Sequence, residues 1–160
     1  MQPNTLSTVN NFLYFNDSTL PEIKDNAISF FSEIWEKLPD LNQQKIVEQL
    51  EFILIKPVND SRYPNTVALT RTSPTQPTCL SWIMWYPFSS FFHKESIMFV
   101  LAHELAHVYL LHPQRGYLMN RDEEEKFKYI ADEEANEQTL GKWKIKPSLE
   151  DRKSFTNINY

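Results

Sequence analysis

At 160 residues, with 41% hydrophobic and 14% aromatic content, the chain is long enough for one domain with a real core and too short for two. A net charge of −5 leaves no general basic footprint for nucleic acid, and no apolar run approaches the roughly 20 residues of a membrane helix. The single cysteine, Cys79, excludes an internal disulfide and favours a reducing, cytoplasmic setting; the first twenty residues carry no Lys or Arg and no secretory apolar core.

In chain order, residues 1–20 read as a loose N-terminal arm in which NFLYF is a short strand or a packed stretch. From 21 to 38, Ile23, Ile28, Phe31, Ile34 and Trp35 recur with helical spacing. Pro39 ends that helix, and Asp40 is placed to cap a second one running towards Ile55, with Ile46, Val47, Leu50, Ile53 and Leu54 as its apolar face. Pro57 stops it. NTVALTRT and TCLSWIMWYPF lack a helical period and are rich in branched and aromatic residues. With TSPTQPT between them they predict two or three antiparallel strands. A third helix is expected from near Lys94 to about Leu111, broken by His112 and Pro113, and a last one from Arg121 to Leu140, stopped by Gly141. The order α-α-β-β-α-α predicts an α+β fold: one domain over 21–143 holding a small antiparallel sheet, then a tail over 144–160.

The third helix carries the chemistry. FVLAHELAHVYLLHP is the most apolar stretch of the chain, yet it holds His103, Glu104 and His107. Burying such groups without partners costs several kcal/mol or shifts their protonation. Spaced four apart, His103 and His107 project from one helical face, so two imidazole nitrogens can approach one ion at about 2.0–2.1 Å. Glu104 lies about 100° around the helix, beside such an ion and not on it, where a general base is needed. With four histidines and fourteen glutamates, HExxH arises by accident about 0.01 times per chain. An accidental motif would also sit on a solvated face, and none exists between Ile97 and Leu111. His112, five residues beyond His107, falls off the ligand face and reads as a helix-end residue; His93 reads as exposed.

A third ligand is required. A third histidine at HExxHxxGxxH spacing is excluded because Leu110 and Pro113 occupy the Gly and His positions. A carboxylate from the following helix, DEEEKFKYIADEEANEQTLGKW, is the remaining source. HELAH followed by that helix resembles the gluzincin-type zinc metallopeptidases, in particular the small ImmA/IrrE-like group and neighbouring metallopeptidases of that kind, over residues 94–143. The resemblance implies a zincin-like fold, one zinc ion, hydrolysis of a protein or peptide substrate (in some relatives one dedicated protein partner), and an edge strand beside the cleft, for which TCLSWIMWYPF with Trp82 and Trp85 is the expected element. Laid on the family pattern, Ala135 and Asn136 put Asp132 at the ligand position, where the family has Glu, and make Asn136 the group orienting a ligand histidine. Helical phase through Phe127, Ile130, Ala131 and Gln138 instead favours Glu134 as the alternative ligand. Glu123, Glu124 and Glu125 read as a solvated first turn. Glu104 is the expected general base, with Tyr109, Tyr117 and Tyr129 as candidate oxyanion helpers. A catalytically inactive zinc-binding regulatory module is the alternative function, favoured by Asp in place of Glu.

Overall fold

The computed structural model describes residues 3–56, 68–72, 80–87 and 92–155. Cys79, Pro57 and the linker residues 73–78 lie outside them. The expected loose arm is instead a helix, α1 (Pro3–Phe12), followed by a two-residue strand, β1 (Leu13–Tyr14). Val9 and Phe12 point into the core, so the arm packs as part of the domain. α2 (Pro21–Lys37) buries Ile23, Phe31, Ile34 and Trp35, as its periodicity requires.

The second predicted helix is shorter than expected. α3 (Asp40–Gln49) stops at Gln49, and Leu50–Ile55 is a strand, β2. Leu50, Ile53 and Leu54 satisfy a helical period, but LEFILI is also rich in branched and aromatic residues, and strand pairing wins. A register shift between Leu50 and Phe52 lets Leu50, Ile53 and Ile55 all face the core although their spacing is not strictly alternate. β3 (Ala68–Thr72) and β4 (Ser81–Trp85) complete a four-stranded sheet in the order β1-β2-β4-β3.

Among the described residues only the β3–β4 pair is antiparallel; β1–β2 and β2–β4 are parallel, which corrects the expected antiparallel sheet. Parallel neighbours need long crossovers, and the chain supplies α2 and α3 between β1 and β2. β4 is thus interior, and among the described residues the outermost strand on its side is β3. Ile53, Ile55, Ile83 and Trp85 face the helices. On the opposite face Phe52 stacks on Trp82 with ring centroids 5.7 Å apart.

α4 (Lys94–Tyr109) lies across the helix-facing side of the sheet, with Leu101, Leu105, Ala106 and Val108 fully buried. Two residues past its end, Leu111 is a non-glycine residue in the left-handed region (φ 59°), and the chain turns there directly into a short helix, α5 (His112–Tyr117). α6 (Arg121–Asn136) is capped by Asn120, whose side chain accepts from the Glu123 amide at 2.9 Å. It does not stop at Gly141 in a left-handed turn. It passes into a π-helical turn over Glu137–Lys142, and Lys144 takes the positive φ (58°). The described part of the expected tail, residues 144–155, is packed: Ile145 joins the core, and Asp151, in a 3₁₀ turn over Leu149–Ser154, is buried against the start of α4. Among the described residues no helix is long and apolar enough to cross a membrane.

Candidate metal centre

α4 presents His103 and His107 on one face because four residues complete just over one turn. Their Nε2 atoms are 3.0 Å apart. α6 brings Asp132 opposite them, with Oδ1 3.5 Å from Nε2 of His103 and 3.3 Å from Nε2 of His107. Ala131 and Ala135, both buried, let α6 come close enough for a side chain as short as Asp to reach. Ligand atoms bound tetrahedrally to a zinc at 2.0–2.1 Å lie about 3.3 Å from one another. The observed triangle therefore has the size of one such ion, and His103, His107 and Asp132 form a group that could hold a metal.

Charge in the site suits a cation. Hydrogen bonds with His103 first, then with His107, hold the Asp132 carboxyl well below the usual carboxylate range, although burial works against this. Burial opposes a positive charge on His103. Hydrogen bonding to Asp132 and the charges of Glu104 and Asp132 more than offset it and raise its pKa. Surroundings that favour a proton on His103 favour a metal ion by the same field.

Each sequence-predicted residue has a definite place. Asn136 accepts a hydrogen bond at 2.9 Å from Nδ1 of His103, which in the neutral ring leaves Nε2 bare and aimed at the centre of the group. Glu104 stands beside the group, where its carboxylate accepts a short hydrogen bond from the hydroxyl of Thr70 on β3. Glu134 is not among the three converging groups. Its carboxylate meets Nε2 of His112 at 3.1 Å and the Arg115 guanidinium at 3.3 Å. Of the three tyrosines, Tyr109 turns away, towards Trp143 and Lys45, and Tyr129 is exposed. Tyr117 lines the cleft. His93 is remote from this group, bonded to Asp151 and Glu150.

Two residues given no role by the sequence belong to the site. His112 is buried, and its Nδ1 lies 2.7 Å from Nδ1 of His107. Burial first, and the neighbouring His107 second, push its pKa down to about 4. A five-residue separation would put the two rings on different faces of a continuous helix. The left-handed turn at Leu111 folds His112 back, and no residue type announced that turn. Thr70 carried no signal either, since a threonine in a strand is ordinary.

A cleft of about 610 Å³ opens over the group, lined by Thr70, Glu104, His107, Tyr117, Phe127 and Asp132 among others. The strand at its wall is β3. The expected one, β4, is interior, and Trp85 is fully buried under the helices while Trp82 packs on the other face of the sheet.

Comparison with known proteins points to the same part of the chain. Residues 70–148, just under half of the chain, match a family described as "Putative metallopeptidase domain". No curated protein and no solved structure matches. The matched span runs from Thr70 through α4, α5 and α6, and so takes in every residue of the metal group; over that span the chain is similar to a metallopeptidase domain.

Proposed function

We propose that the chain is a zinc-dependent metallopeptidase of the gluzincin type, ImmA/IrrE-like, that hydrolyses peptide bonds in a protein or peptide substrate. The observation that carries this reading is the convergence of two α4 imidazoles and one α6 carboxylate on a point the size of a single ion, with a second carboxylate, Glu104, beside it. His103, His107 and Asp132 would hold the zinc, leaving a fourth position open. Bound there, zinc would supply a Lewis acid and a water acidified towards about pH 7.

The chain's own residues do the rest. Glu104 takes a proton from the attacking water and returns it to the leaving amine. Thr70 occupies one of its carboxylate oxygens and so fixes the direction in which the other faces the cleft. Asn136 holds His103 in one tautomer. Tyr117, which lines the cleft, would steady the developing oxyanion. β3 is paired on one side only among the described residues, so an extended substrate can add to it as a further strand. A reducing, cytoplasmic setting fits the single cysteine.

Glu104→Gln tests the reading. An amide of the same size still accepts from Thr70 but cannot take a proton. Zinc stoichiometry and thermal stability should be unchanged while cleavage of a peptide library falls by about 10²–10⁴-fold. Cleavage within tenfold of wild type would refute the role of Glu104. Bound zinc without turnover on any denatured protein, in the wild-type chain, would select the inactive zinc-binding module.

A further inference from the structure

Beside the metal group, starting from His107 and His112 at the wall of the cleft, four side chains from α4, α5 and α6 form one connected line. Nδ1 of His107 lies 2.7 Å from Nδ1 of His112, Nε2 of His112 lies 3.1 Å from Oε1 of Glu134, and that same oxygen accepts from Arg115 at 3.3 Å. We propose that His112 and Glu134 are positioning residues that fix the tautomer and ring orientation of His107, so that its Nε2 is always presented bare to a metal. The proposal rests on the metallopeptidase reading and deepens it.

The direction of every hydrogen bond follows from one end. Glu134, beside Arg115, is an acceptor only, so Nε2 of His112 must carry the hydrogen that it donates. A neutral His112 then has a bare Nδ1, which can only accept. Nδ1 of His107 must therefore donate to it, and the lone pair of His107 is forced onto Nε2. On the other ring, Asn136 imposes the same outcome on His103. When both rings are neutral, three atoms without hydrogens (two Nε2 and Oδ1 of Asp132) consequently face one another at 3.0–3.5 Å. Such an arrangement is repulsive until a cation sits among them.

The line also accounts for three features that the metal group alone leaves unexplained. Glu134 carries a carboxylate at mid-helix yet contributes nothing to the cluster of ligands. His112 is buried although polar. Leu111 adopts a left-handed backbone, which a residue with a Cβ rarely takes. That turn is what returns His112 to His107, five residues back, which a continuous helix cannot do.

The test uses the full chain with zinc as the probe, in two measurements. Long-range proton–nitrogen correlation spectra of the zinc-loaded protein should show His107 protonated at Nδ1 and His112 protonated at Nε2. Competition with a chromophoric chelator should show His112→Leu binding zinc about 10–100-fold more weakly than wild type. His112→Asn places an amide oxygen at the Nδ1 position, keeps the acceptor for His107, and should recover part of that loss. Glu134→Ala should weaken zinc binding in the same direction. Should His112→Leu fail to fold, the spectrum and Glu134→Ala decide. A proton on Nδ1 of His112, or zinc affinities of His112→Leu and Glu134→Ala within threefold of wild type, would overturn the relay alone. Failure of the wild-type chain to bind zinc would overturn the metallopeptidase reading itself.

Discussion

Asp132 reaches the two imidazoles because α6 lies close to α4, and it lies close because Ala131 and Ala135 are small. Replacing Ala135 by Leu tests that chain of cause. Ala135 is fully buried in the core, so three added carbons have nowhere to go without moving α6 outward. Overpacking of this kind costs about 1–3 kcal/mol, equivalent to a fall of about 2–12 °C in Tm for a chain of this length. As α6 moves out, Oδ1 of Asp132 leaves its positions 3.5 and 3.3 Å from the two Nε2 atoms. Zinc affinity should then drop tenfold or more, about 1.4 kcal/mol. Asp132→Glu alone should also weaken binding, because one more carbon–carbon bond of about 1.5 Å drives the carboxylate past the point of convergence. Combined, the two changes should offset each other: the longer acid spans the wider gap, and the double variant should bind zinc better than the sum of the single losses by at least about 1 kcal/mol. Thermal melts of the metal-free proteins and chelator competition for zinc supply all four corners of the cycle. Losses that add within about 0.5 kcal/mol, or Asp132→Glu binding as tightly as wild type, would refute the spacing argument.

Thr70→Val removes the hydroxyl that orients Glu104 while keeping the side-chain shape; kcat should fall about tenfold or more with zinc affinity unchanged, and an unaltered kcat would count against that role. Trp143→Phe loses the indole N–H donated to Asn42 at 2.7 Å, costing about 1–2 kcal/mol. A fall of a few degrees in Tm should appear without any change in zinc binding. Asp151 ties the 3₁₀ turn to α4 by accepting from the His93 amide at 2.9 Å and from the Ser96 hydroxyl. Burial opposes its charge, but the hydrogen bonds from Ser96 and His93 win and lower its pKa, so its contribution holds above about pH 3.9 and is lost on acidification through the lowered value. The Asp151 hydrogen bond, with Glu150 and Glu95 adding to it, raises the pKa of His93, so that contribution is full below about pH 6.5 and is lost as pH rises through the raised value. The stability difference between wild type and Asp151→Asn should therefore peak between about pH 4 and 6.5; a difference independent of pH would contradict the pairing.

How legible the molecule was depended on how many structures a local pattern could support. α4 was readable because its apolar residues run all round the helix, which only a buried helix tolerates, and HExxH has one spacing that makes sense of its charges. β2 was not, because Leu50, Ile53 and Leu54 satisfy a helical period as well as a strand bearing a bulge. Sheet order was hidden for a different reason: pairing β2 with β4 instead of β3 is a long-range choice that no local residue type records. The two arguments over Asp132 and Glu134 conflicted because both residues face structure. Asp132 points to the ligand face of α4, and Glu134 to the His112 side of the same helix pair. The place of His112 is not legible because it follows from one left-handed residue, Leu111, with no glycine to mark it.

The most direct test is a crystal structure of the zinc-loaded chain with anomalous scattering recorded at the zinc edge. One peak is expected, within about 2.0–2.2 Å of Nε2 of His103, Nε2 of His107 and a carboxylate oxygen of Asp132. Imidazoles turned away from each other with no zinc between them, or a peak bound by Glu134, would contradict the account.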